Sequence, residues 1–179
     1  MKKFLAIAAV VAATIAAQAQ GTINFANRVS GSIDAKVLGT DGSALAGTGF
    51  LAQLYVGSSA SSLAAVGSPV PFRTGAAAGY VTSSVVTTGL AGGATASVAM
   101  RAWDASTGAT YEAATTKGSS AVLSIVLGGA GSPPSLPADL TGLTGFSLAG
   151  SAPVGNVPEP STIALGVIGA GALFLRRRK

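Results

Sequence analysis

Twenty-two glycines punctuate the 138 residues from 20 to 157 and leave between them apolar runs too short for an ordinary helix. Glycine costs about 1 kcal/mol at each helical position, whereas a strand needs only a few alternating residues between turns. The punctuation therefore selects short strands. Thr22-Ile23-Asn24-Phe25 alternates, and Ile33, Ala35 and Val37 oppose Ser32, Asp34 and Lys36. Phe50, Ala52, Leu54 and Val56 oppose Gln53 and Tyr55, while Ala96, Val98, Met100 and Ala102 oppose Thr95, Ser97 and Arg101. Such period-two patterns put one face of each strand in a core.

Residues 121–127 are apolar on nearly both faces, which reads as a central strand. With strands at 79–86, 110–114 and 146–148, the total comes to eight or nine, and the expected fold is a single antiparallel β-sandwich, all-β. Residues 128–137, carrying Pro133, Pro134 and Pro137, read as a loop, and 61–66 as one surface helical turn. A disordered matrix polypeptide would share the glycine, serine and threonine load, but a hydrophobic fraction of 49% opposes it. No short repeat supports a parallel β-helix.

The net charge of +5 sits wholly at the ends: +2 in residues 1–19, 0 in 20–157 and +3 in 158–179. A body with no basic excess offers nothing to a phosphate backbone, so nucleic acid is not an expected partner. The chain has neither His nor Cys. That excludes imidazole general bases, thiol nucleophiles, disulfides and Cys/His zinc sites, and no cofactor is expected.

Lys2 and Lys3 precede residues 4–17, apolar except for Thr14, and Ala17-Gln18-Ala19 follows. This is the pattern of a signal peptide, with cleavage by signal peptidase expected between Ala19 and Gln20. Export into an oxidising compartment without Cys leaves stability to packing and sheet hydrogen bonds. At the other end, Pro158-Glu159-Pro160-Ser161-Thr162 leads into the uncharged residues 163–175 and then Arg176, Arg177, Arg178 and Lys179. As a helix the uncharged segment rises only about 20 Å, short of a bilayer core of ~30 Å. The terminal cations resist translocation and hold that end in the cytoplasm. The expected organisation is a signal peptide (1–19), a β-sandwich (20–149), a linker (150–157) and a tail with a short transmembrane helix (158–179), reached through an inner-membrane intermediate.

Pro158-Glu159-Pro160, the short apolar segment and the Arg-rich end resemble the PEP-CTERM sorting signal of Gram-negative bacteria. The resemblance implies recognition by an exosortase, a membrane cysteine transpeptidase-like enzyme. It further implies removal of the tail and delivery to the cell surface or an exopolysaccharide matrix. Pro158, Glu159 and Pro160 would be the recognised motif, 163–175 the transient membrane segment, and Arg176 to Lys179 the cytoplasmic stop. The body is similar to PEP-CTERM proteins of the kind common in Verrucomicrobia-like bacteria. It shares Gly21-Thr22-Ile23-Asn24-Phe25-Ala26-Asn27, Ala52-Gln53-Leu54-Tyr55, Arg101-Ala102-Trp103-Asp104 and Gly145-Phe146-Ser147-Leu148, in that order. That likeness implies a surface β-domain and brings no catalytic residues.

Other candidates have plainer readings. Asp104 and Glu112 flank a turn and would suit a secreted glycoside-active enzyme if their carboxylates met in one cleft. The plainer reading has Asp104 capping the turn and Glu112 pairing with Arg101 across a hairpin, in a register that also sets Ala102 opposite Tyr111 and Trp103 opposite Thr110. That register puts Trp103 on the wetter face beside Arg101. Trp103, Tyr111 and Tyr55 would there form a sugar platform for a carbohydrate-binding domain, or simply pack. Asp41-Gly42 reads as a turn rather than a calcium loop. The 33 Ser and Thr of the body suit either glycosylation or a neutral polar sheet face. The reading preferred overall is an exported, non-enzymatic surface or matrix protein.

Overall fold

The computed structural model describes residues 20–150. Residues 1–19, expected to be a signal peptide, lie outside the described residues. So do the linker beyond 150, Pro158, Glu159, Pro160, the 163–175 segment, and Arg176, Arg177, Arg178 and Lys179. Gln20 is the first residue described.

Strands come in chain order as β1 (Gln20–Phe25), β2 (Arg28–Val29), β3 (Ile33–Asp34), β4 (Val37–Leu38), β5 (Gly47–Gly57), β6 (Ala64–Phe72) and β7 (Ser84–Ala91). They continue with β8 (Thr95–Asp104), β9 (Thr116–Ser119), β10 (Leu123–Val126), β11 (Ala138–Asp139), β12 (Phe146–Ser147) and β13 (Ala149–Gly150). One 3-10 turn, Gly75–Ala77, is the sole helical element among the described residues. A six-stranded sheet runs β13-β9-β8-β5-β6, with β10 also paired to β8, and a three-stranded sheet runs β11-β1-β7. Two small pairs, β12-β4 and β2-β3, complete the set. The class is all-β, as the glycine spacing requires, but β1–β11 and β12–β4 are parallel pairs.

The longest strands, β5 and β8, lie side by side with Ala52 opposite Ala102, Leu54 opposite Met100 and Val56 opposite Val98. These residues are buried and share one core with Ile23 and Phe25 of β1. Alternation then turns Gln53, Tyr55, Ala99, Arg101 and Trp103 to the other face of the sheet. Asn27, just after β1, is fully buried and fully used. Its Nδ2 donates to the carbonyls of Ala35 and Gly79 at 2.8 and 2.9 Å, and its Oδ1 accepts from Val81 N–H at 2.9 Å. One amide thus ties three segments, and its own carbonyl accepts from Ala35 N–H.

Four expectations are corrected. Residues 61–66 form no helical turn: a serine-rich turn ends at Ser62 and β6 starts at Ala64. The 79–86 strand begins late, because Val81 makes one bridge to Phe72 before the chain reaches β7. The 121–127 strand is not central. β8 is long enough to hold β9 along one stretch and β10 along another, so among the described residues β10 has only β8 as its ladder partner, and Val126 stands 62% exposed. Finally, residues 110–114 are turn, not strand, so the hairpin register expected across residues 106 and 107 does not form. Instead Arg101 opposes Ser119, Ala102 opposes Gly118 and Trp103 opposes Lys117.

Candidate functional site

The displaced register leaves residues 105–115 as a strap between β8 and β9, and the strap lies over the outer face of the six-stranded sheet. Asp104 starts it: Oδ1 accepts from the Ser106 N–H at 2.9 Å and from its hydroxyl at 2.6 Å, the turn-capping role expected. Tyr111 then packs against the rings of Tyr55, at 5.8 Å between centroids, and Trp103, at 6.4 Å edge-on. The Arg101 guanidinium lies 4.1 Å from the Tyr55 ring centre and 4.8 Å from that of Tyr111. Lys117 Nζ donates to the carbonyls of Tyr111 and Glu112 at 3.0 and 2.9 Å.

Glu112 fastens the strap. It accepts from the Tyr55 hydroxyl at 2.7 Å and lies 3.7 Å from Arg101 Nη1. The Arg101–Glu112 pairing therefore exists, although Glu112 reaches it from a turn rather than from across a ladder. The hydrogen bond from Tyr55, then the charges of Arg101 and Lys117, hold the Glu112 carboxyl below its ordinary value. Burial and the same hydrogen bond push Tyr55 up to about 12.

Trp103, Tyr111 and Tyr55 are thus brought together, but not as a platform. Trp103 does share a face with Arg101, yet it is 0% exposed, and Tyr55 is also buried. The expectation of an open wet face fails because the strap covers it, so no row of ring faces is presented to a sugar. Arg101 Nε–H and Trp103 Nε1–H are buried there without a hydrogen-bond partner among the described residues.

Asp104 and Glu112 do not meet in a cleft either. Asp104 lines a cavity of about 350 Å³ together with Asp41, Thr116, Phe50 and Leu148, and Glu112 is absent from its wall. Asp41 accepts from the N–H and hydroxyl of Ser43, which lower its pKa, and Gly42 takes the left-handed conformation of a turn at φ 78°. No group of three or more acidic residues poised for a metal occurs among the described residues.

A second cluster was not anticipated. Tyr80 donates to Asp34, with the Arg28 guanidinium 5.0 Å and Lys36 Nζ 5.4 Å from its ring centre. The signal for it was the Arg28-to-Lys36 spacing around a two-strand turn, but Tyr80 lies too far along the chain to be linked by local pattern.

Residues 156–179 match the PEP-CTERM protein-sorting motif. No curated protein and no solved structure matches the chain.

Proposed function

We propose that this chain, which ends in a PEP-CTERM protein-sorting motif, is an exported, non-enzymatic surface or matrix protein sorted and processed by an exosortase. One observation carries the reading: Pro158-Glu159-Pro160, an apolar segment and the run Arg176 to Lys179 fall in that order inside the matched residues 156–179. In this reading signal peptidase cuts between Ala19 and Gln20, the apolar tail crosses the inner membrane transiently, and the exosortase removes it. The body is then a neutral β-sandwich left outside the cell, its two larger sheets closing on one apolar core. A role without catalysis is supported by the way Asp104, Glu112 and Asp41 each serve a local turn or clamp.

The test is Glu159→Gln and, separately, deletion of Arg176 to Lys179. Both variants should accumulate as membrane-bound precursor or be released prematurely with a changed mass. If both reach the surface at the mature mass of the parent, the tail is not a sorting signal.

A further inference from the structure

We propose that the surface around Tyr80 is a binding site for the carboxylate groups of an acidic polysaccharide. The choice of a glycan rests on the matrix reading above; the site itself rests on how Arg28, Asp34, Lys36, Arg73 and Tyr80 are placed.

Turns and alternation bring these residues together. Gly31, at φ 81°, folds β2 back on β3, so that Arg28 opposes Asp34. Ile33 and Ala35 are buried, and the period of two turns Asp34 and Lys36 outward. Tyr80 arrives from a distant part of the chain. Asn27, next to Arg28, fixes its approach by bonding the Gly79 carbonyl and the Val81 N–H on either side of it. Beside the bridge between Phe72 and Val81, the Arg73 N–H donates to the Tyr80 carbonyl at 2.8 Å. Arg73 therefore stands opposite Tyr80, and residues opposite one another in a ladder share a face.

Tyr80 holds two cations without neutralising them. The Arg28 guanidinium lies 5.0 Å and Lys36 Nζ 5.4 Å from its ring centre, so the two charges are at most about 10 Å apart. Lys36 is seated there by a glycine: a Cβ on Gly79, at φ 85°, would stand 2.4 Å from Lys36 Cγ. The Tyr80 hydroxyl meanwhile donates to Asp34 and so occupies the carboxylate that faces Arg28 across the turn. Among the described residues only Arg101 and Glu112 come within ion-pair distance. Arg28, Lys36 and Arg73 are thus exposed cations without an acidic partner there. Three cations against one carboxylate give the patch +2, in a body whose residues 20–150 sum to zero. Their mutual repulsion is relieved when an anion joins them.

The anion that fits is a polymer with sparse carboxylates and many hydroxyls. A chain with one carboxylate on each sugar repeats its charge within the span of Arg28 and Lys36. Ser30 and Ser32, exposed in the turn between β2 and β3, offer hydroxyls beside Arg28 and Asp34. The Tyr80 ring is only 5% exposed, so it positions the cations instead of stacking on a sugar. Duplex DNA is gripped through more phosphate contacts than three cations supply. A long glycan shared by many surface-held copies, by contrast, gains through avidity what one site lacks.

The experiment measures binding of the full chain, in a neutral detergent, to polygalacturonate, with dextran as the uncharged glycan and duplex DNA as the competing polyanion. Polygalacturonate should bind, more weakly as salt rises, and dextran should not. Arg28→Gln and Lys36→Gln should each weaken binding about fivefold, whereas Arg177→Gln, the same loss of charge in the tail, should change it by less than about twofold. Tyr80→Phe leaves the net charge unchanged but frees Asp34 to pair with Arg28, so it should weaken binding about threefold, and adding Asp34→Asn should restore it. Equal binding by parent, Lys36→Gln and Tyr80→Phe overturns the proposal, as does an equal loss on Arg177→Gln. Duplex DNA held through Lys36 as tightly as polygalacturonate overturns the glycan assignment. These outcomes leave sorting untouched; a parent chain found unprocessed in the cytoplasm would instead overturn the matrix reading, and the choice of glycan with it.

Discussion

The Tyr55 hydroxyl donates to Glu112 Oε1 at 2.7 Å and so joins β5 to the middle of a strap 57 residues further along the chain. The same carboxylate lies 3.7 Å from Arg101 Nη1 of β8, so Glu112 ties the strap to both long strands. Tyr55→Phe should therefore loosen the strap at a cost of about 1 kcal/mol, because the exposed carboxylate can rehydrate. Tyr111→Ala should cost about 3 kcal/mol, because it strips the ring that covers Trp103. Denaturant titration measures both, and acrylamide quenching of the single tryptophan should rise in the order parent, Tyr55→Phe, Tyr111→Ala. Equal quenching in all three would mean that the strap does not protect Trp103.

The same contact sets two pH limbs. Tyr55 is raised from 10.0 to about 12, so the folded state favours its neutral form; that stability is full below pH 10 and is lost as pH rises toward 12. Glu112 is lowered from 4.5, so its contribution is present above that value and is lost as pH falls below it. Tyr55→Phe should remove the first limb and shrink the second. Stability measured by urea midpoint at pH 7, 9, 10.5 and 11.5 should show the parent, but not the variant, losing this increment at the alkaline end.

What was legible in the sequence was what depends on neighbours two residues apart. The period-two faces of Ala96, Val98, Met100 and Ala102, and of Ala52, Leu54 and Val56, are the ones that line the shared core, all at 5% exposure or less. The turn at Asp104 was legible for the same reason, since its acceptor serves Ser106 two residues on. Trp103 shows where this ends. Alternation put it on the correct side of β8, but its burial depends on a strap whose length no local pattern sets. Thr110 and Tyr111 have good strand propensity, yet Gly108 lies where a Cβ would meet the Ala114 backbone at 2.4 Å, a close turn-to-turn contact that a ladder in this register would not make. The exposure of Val126 was hidden likewise, because an apolar pair on an edge strand reads like one in a sheet centre. The sorting tail was the most legible part, since peptide-level recognition is written in contiguous residues.

Asn27 should be the most sensitive polar position of the body. Replacing it with Leu would leave the Ala35 and Gly79 carbonyls and the Val81 N–H buried without their partner, at about 1–3 kcal/mol for each unmade bond. Asn27→Asp should retain the contact with Val81 N–H and lose the two donations, so it falls between parent and Leu at neutral pH. Guanidinium titration ranks the three. A Leu variant as stable as the parent would mean that the three segments are held together by packing alone.

Sorting should also change the charge of the protein in a way that reports both cuts. The five cations of residues 20–150, Arg28, Lys36, Arg73, Arg101 and Lys117, are balanced by Asp34, Asp41, Asp104, Glu112 and Asp139, whereas the whole chain carries +5. Removing residues 1–19 alone takes away +2, and removing 158–179 alone takes away +3. Isoelectric focusing of the pulse-labelled chain should therefore resolve three species, with the fully processed body focusing near neutrality and the singly cut species on its basic side. Because signal removal is expected first, the intermediate should be the species of net +3. A chain that stays in the membrane fraction at steady state and still strongly basic would show that the Arg-rich end had been retained, and the tail would then be an anchor rather than an address.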